Sequence, residues 1–149
     1  MNMLAIGCDH GGFQLKKVIE SYLESRGIEY QDFGTDSEES VDYPPIAAKV
    51  AHSVAEGQCE RAILCCGTGI GMSIAANKVN GVRAAVCTET YSTEMTRRHN
   101  NCNCLCLGGR VLNAEQAVEL VGIYLDTPYE GGRHQRRLDE ITAIENGDL

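Results

Sequence analysis

The run Ala62-Ile63-Leu64-Cys65 passes without a polar break into Cys66 and then into a turn with glycine at positions 67, 69 and 71, and no other segment constrains the fold as strongly. A short apolar stretch of this kind fits a buried strand, and residues 70–78, with Ala75-Ala76, fit a helix. Cys66 then stands at the carboxyl end of a strand and just ahead of a helix N-terminus. Unpaired amide groups and the helix dipole favour a thiolate or a bound oxyanion at such a place. Gly67, Gly69 and Gly71 admit positive φ and let backbone amides approach a ligand with no Cβ in the way. The pattern is not the dinucleotide fingerprint, because its sixth place is Met72, and no Walker loop is present. A purely structural turn that carries a buried cysteine fits the same residues.

The remainder of the chain repeats this alternation. Residues 3–8 are strand-like, and Leu15, Val18, Ile19, Tyr22 and Leu23 recur at helical spacing until Gly27. Residues 29–33 predict a second strand, 34–42 an acidic loop, and 45–55 a helix that Pro44-Pro45 help to start. Further strand-and-helix units fall in 59–77, 83–100 and from 103 onward, the last with its helix over 114–125. Five strands with helices between them predict a Rossmann-like three-layer α/β sandwich, its five-stranded parallel sheet covered on both faces. The 149 residues suffice for one core, so residues 1–149 are expected to form a single domain. Residues 133–145 predict a last helix that opens with Arg133, His134, Arg136 and Arg137. Cations in a first turn oppose the helix dipole, so they ask for an anion or a partner, unless they form an ordinary solvated face.

A net charge of -8 argues against a general nucleic-acid or anionic-membrane binder. No apolar run is long enough for a membrane span, and the N-terminus lacks the basic region and long apolar core of a signal peptide. A cytoplasmic chain is therefore expected, its eight cysteines reduced and acting mostly as small hydrophobes. Cys102, Cys104 and Cys106 alternate with Asn103 and Leu105 as in a strand, a spacing that does not suit zinc, so no metal is expected.

Polar groups collect where strands end, the edge at which parallel sheets bind ligands. Asp9-His10-Gly11-Gly12 follows the first strand, the Cys66 turn the third, and Gly108-Gly109-Arg110 the fifth. Asp9-His10 fits a functional pair or a helix cap, and Thr68 fits a cap or a partner for a substrate hydroxyl. His99-Asn100-Asn101 closes the fourth helix, which puts it at the opposite edge of the same subunit. From there His99 reaches the site only from another subunit or through an unusual loop.

Taken in order, Gly7-Cys8-Asp9-His10-Gly11-Gly12, Asp42-Tyr43-Pro44, Cys66-Gly67-Thr68-Gly69-Ile70-Gly71, Ala75-Ala76-Asn77-Lys78, Arg98-His99-Asn100 and Tyr129-Glu130-Gly131-Gly132-Arg133-His134 closely resemble the type B ribose-5-phosphate isomerases and related sugar-phosphate isomerases. The resemblance implies an aldose–ketose isomerase that needs no metal or cofactor and works through a cis-enediol. It implies Cys66 as the base between C2 and C1, with the amides of Gly67, Gly69, Ile70 and Gly71 and the Thr68 hydroxyl holding the enediolate oxygen. His99 would open the sugar ring as general acid, Asp9 would handle hydroxyls, and Tyr43 would shape the pocket. The phosphate would lie on His10, Arg110, Arg133 and Arg137 with Asn100 nearby, since arginine's planar donors match phosphate oxygens. His99, Asn100 and the C-terminal arginines would come from the neighbouring subunit. This implies a homodimer or a dimer of dimers with shared sites, in which the helix over 131–145 contacts the partner. A family branch places a carboxylate base just after the glycine loop; Met72 stands there, so the chain resembles the cysteine branch.

Ribose 5-phosphate is the first expectation for substrate, and the six-carbon allose 6-phosphate or galactose 6-phosphate the second. A non-catalytic sugar-phosphate sensor would need the anion site but neither Cys66 nor His99. A redox role for Cys65-Cys66 is weaker, because adjacent cysteines rarely form an easy disulfide.

Overall fold

The computed structural model describes residues 3–149. The apolar runs become β1 (Leu4–Cys8), β3 (Arg61–Cys66) and β5 (Cys104–Gly108), with the short strands β2 (Tyr30–Asp32) and β4 (Ala84–Val86) outside them. All pairings are parallel, in the order β2-β1-β3-β5-β4. The helices are α1 (Phe13–Ser25), α2 (Tyr43–Ala55), α3 (Ile70–Ala76), α4 (Thr90–Asn100), α5 (Ala114–Asp126) and α6 (Arg133–Glu145). The predicted Rossmann-like sandwich is the observed one.

Strand alternation divides the core in two. Leu4, Ile6, Ile63, Leu105 and Leu107 meet Leu15, Ile19 and Leu23 of α1 and Val121 and Tyr124 of α5. Ala5, Ala62, Leu64, Cys104 and Cys106 meet α2 and α3 through Val50, Ala51, Met72 and Ala76. Small residues on the second face let those helices lie close. The buried Tyr124 hydroxyl donates to the Ala62 carbonyl at 3.1 Å, which satisfies the one polar atom it brings into the core. All eight cysteines are free and buried, as small hydrophobes would be.

From β1 the chain turns outward to β2, then crosses to β3 on the other side, so a switch point lies between β1 and β3. There a 3-10 turn, His10–Gly12, feeds α1, with Gly12 pressed on β3: a Cβ on Gly12 would lie 2.4 Å from the Cys65 carbonyl oxygen. Behind it the buried Lys16 ammonium donates to both Asp32 oxygens, at 2.8 and 2.7 Å, and to the Thr35 carbonyl at 2.7 Å. This ties α1 to the loop that leads into α2.

Three boundaries differ from the sequence expectation. The helix predicted over 70–78 ends at Ala76, because the Asn77 amide pairs with Ala84, accepting from its N–H at 2.8 Å and donating to its carbonyl at 2.9 Å. The strand-like alternation of Cys102, Cys104 and Cys106 holds only from Cys104. Cys102 packs on the opposite face, and Asn103 uses its side chain to bond Arg83 and Gly81. The helix predicted from residue 45 starts at Tyr43, with Asp42 as its N-cap.

Two outcomes follow from this packing. Gly12→Ala should destabilise the domain by about 1–3 kcal/mol in denaturant unfolding, since the added carbon meets backbone that has no rotamer to yield. Burial and the neighbouring Asp32 raise the Glu20 carboxyl to about 7. The folded state therefore favours its protonated form, and stability falls as pH rises from the ordinary carboxylate range through about 7. Glu20→Gln should leave the melting temperature unchanged at pH 4 and raise it at pH 8.

Candidate active site

A cavity of about 460 Å³ opens at the switch point, over the carboxyl ends of β1 and β3. Asp9, Tyr43, Cys66, Thr68 and Arg110 line it together with the glycine turn. Cys66 is the last residue of β3 and is 5% exposed, so its sulfur meets the cavity from a rigid, nearly dry position. The Gly69 N–H donates to Cys66 Sγ at 3.1 Å. The bond aims a backbone donor at the sulfur and fixes its place beside the glycine turn. Burial pushes the Cys65 thiol well up and those of Cys8 and Cys102 up to about 12, and the hydrogen-bonded Cys104 thiol together with burial pushes Cys106 well up, so these four are poor nucleophiles.

The three glycines of the turn, each read from the sequence as admitting positive φ, serve different ends. Only Gly69 has it, at 82°, and this turns its N–H onto the sulfur. A Cβ on Gly67 would lie 2.7 Å from Arg110 Nη1, and one on Gly71 would lie 2.7 Å from the Tyr43 ring. Those two glycines make room for the guanidinium and for the ring. Ile70 opens α3 with its side chain half exposed at the cavity rim. Thr68 Oγ1 accepts from the Ile70 N–H at 3.3 Å, and Asp9 Oδ1 accepts from Gly11 and Gly12 at 2.9 and 3.2 Å. Both residues thus make the local bonds weighed from the sequence and still face the cavity. His10 Nδ1 accepts from the Val41 N–H at 3.2 Å, which leaves Nε2 as the donor.

A second group of candidate residues lies elsewhere in the chain. α4 returns to the amino edge of the sheet, so His99 and Asn100 at its end lie away from the carboxyl strand ends that carry Cys66. Arg133 and Arg137 are exposed on α6. His99 is held among residues to which the sequence reading, though it named them in a motif, gave no role in the site. Its ring stacks on that of His134, centroids 4.3 Å apart and planes 16° apart. Glu130 Oε1 lies 3.6 Å from the Nε2 atom of each histidine. Burial, His99 and Arg133 push the His134 imidazole below its usual range, so it is uncharged at neutral pH. Three donor atoms so close together suit a metal on paper. Near-parallel rings, however, cannot aim both in-plane lone pairs at one ion. The i,i+4 spacing of Glu130 and His134 at the mouth of a cationic helix was the signal in the sequence.

A further depression of about 440 Å³, between β4 and α6, is lined by Asn77, Arg83, Ile141 and Ile144 and holds neither thiol nor histidine. Asn100 lies at its edge. Among the described residues no helix is long and apolar enough to cross a membrane.

Known proteins match this chain over nearly its whole length. The Ribose/Galactose Isomerase family matches residues 4–141. The chain is 52% identical to the ribose-5-phosphate isomerase B of Escherichia coli (strain K12), over 97% of each protein. It is 42% identical to the D-erythrulose-4-phosphate isomerase of Pectobacterium atrosepticum, over 98% of this chain and 97% of that protein. The solved structure of Clostridium thermocellum ribose-5-phosphate isomerase B superposes with a TM-score of 0.96, at 49% identity and 99% coverage of both chains. With a thiol-bearing strand end over a glycine turn in the matching fold, the chain belongs to the ribose/galactose isomerase family of sugar-phosphate isomerases.

Proposed function

We propose that the protein interconverts ribose 5-phosphate and ribulose 5-phosphate through a cis-enediol, with Cys66 as the base. The observation that carries this reading is the Gly69 N–H on Cys66 Sγ at 3.1 Å, inside a cavity that also presents Asp9, Thr68 and Arg110. The thiolate takes the C2 proton of the open-chain aldose and returns it to C1, while the hydroxyl proton moves from O2 to O1. Charge develops on oxygen, where the amides of the turn and the Thr68 hydroxyl stabilise it. Asp9 orients substrate hydroxyls, and Tyr43 closes one wall. Arg110, lying over Gly67, and His10 take the phosphate from this side.

His99 as ring-opening acid, Asn100, Arg133 and Arg137 complete the site from a second copy of the chain. The separation within one subunit supports this, as does the cationic first turn of α6, which an anion would stabilise. The exposed Ile70 and Ile74 of the cavity lining give a partner an apolar surface. The working unit is a homodimer or a dimer of dimers, and the chain works in the cytoplasm. A substrate of another length remains the second reading, favoured by the relative named for a four-carbon sugar phosphate and by the family's galactose members.

Proton NMR of ribose 5-phosphate in D2O, with chelator and without nucleotide, should show ribulose 5-phosphate forming; folded protein that converts none would overturn the assignment. Cys66→Ala should lower kcat on the order of 10³-fold while sugar-phosphate binding persists, the usual loss for a general base. Co-expressing Cys66→Ala and His99→Asn chains should restore about a quarter of wild-type activity, because half the dimers are mixed and each has one intact site. No restoration would remove the shared site.

A further inference from the structure

We propose that Glu130 and His134 are positioning residues that hold the His99 imidazole in its ring-opening orientation, an inference that rests on His99 being the ring-opening acid. His99 ends α4 and is 39% exposed, so its helix alone leaves the ring free to turn. Two independent contacts remove that freedom. The stacked His134 ring, buried at the start of α6, fixes the plane of the His99 imidazole. Glu130 fixes its rotation, because flipping the ring would carry Nε2 away from the carboxylate oxygen 3.6 Å from it.

Glu130 is itself placed by backbone rather than by chance. Its N–H donates to the Arg98 carbonyl at 3.0 Å, one residue before His99. The start of the same segment is anchored by the buried Arg97, whose Nε donates to the Thr127 carbonyl at 3.1 Å and whose Nη1 holds Cys102 at 2.7 Å. The turn between α5 and α6 is thus bonded to the end of α4 at two points, and Glu130 rides on it. His134 places its own Nε2 at the same 3.6 Å from Glu130 Oε1, so the carboxylate also ties the stacked ring in place. The contribution of His134 is the flat surface of its ring.

The test separates ring opening from proton transfer. Ribulose 5-phosphate has its 5-oxygen esterified and cannot close to a furanose, so deuterium entering its C1 in D2O reports the enediol step without ring opening. Conversion of ribose 5-phosphate requires both. Glu130→Gln and His134→Ala should each slow conversion at saturating substrate on the order of ten-fold, the scale of a modest misplacement of a reacting group. Deuterium entry should stay within about two-fold, as the Cys66 half-site is untouched. His134→Phe, which keeps the stack, should recover most of the conversion lost in His134→Ala. Equal loss of conversion and exchange, or no loss in Glu130→Gln, would overturn the proposal; Glu130 is exposed enough for that variant to fold. His99→Asn is the reference: if it loses conversion selectively and the other variants do not, only the positioning role fails. If it too keeps conversion, the reading of His99 as the acid fails with it.

Discussion

Backbone packed directly on backbone, at the carboxyl ends of β1, β3 and β5, is the constraint on which the rest of this structure depends. A Cβ on Gly12 would lie 2.4 Å from the Cys65 carbonyl, one on Gly109 would lie 2.4 Å from the Gly11 oxygen, and one on Gly108 would lie 2.7 Å from the Thr68 carbonyl carbon. Three loops from three strands therefore interlock with no side chain between them. Backbone hydrogen bonds seal the contact: the Gly109 N–H donates to the Cys66 carbonyl at 2.8 Å and the Arg110 N–H to the Gly67 carbonyl at 2.9 Å. A loop held this way has little freedom, so the Gly69 N–H stays on the sulfur and a developing oxyanion would meet amides that need not reorganise.

The same parallel topology that gathers one set of polar groups disperses another. Each crossover helix runs back to the amino edge, so whatever its last turn carries is removed from the strand ends by the length of the sheet. Asp9, Cys66 and Arg110 follow strands and converge, whereas His99 and Asn100 end a helix and do not. The α4 end is built with equal care: Arg97, Glu130 and His134 surround it with bonds and a stacked ring. The proposed second copy of the chain would bring this region to its partner's strand ends.

Much of this was legible in the sequence because the signals are local. Apolar runs of strand length, glycines at 67, 69 and 71, and polar residues after strands one, three and five gave the sheet and the composition of the cavity. The misreadings came from side chains that act at a distance. Asn77 looks like helix until its amide is seen paired with Ala84, and Asn103 looks like strand until it is seen bridging Arg83 and Gly81. Gly67 and Gly71 read as open backbone for a ligand, but it is also Arg110 and Tyr43 that need the room they leave. Glu130 and His134 stand in one of the motifs, but their contact with His99 is not legible there, because that partner lies some thirty residues earlier in the chain.

The sequence by itself determined the alternation of strands and helices, the placing of a thiol ahead of a glycine turn, and the family, because each is written in hydrophobic period or in motifs of a few adjacent residues. Only the tertiary structure decided which glycine turns its amide onto the sulfur, which two exist for clearance, and which residues flank His99. Those are contacts between segments far apart in sequence, fixed by how the strands are ordered and how closely their loops pack, and no local pattern encodes the distance between them.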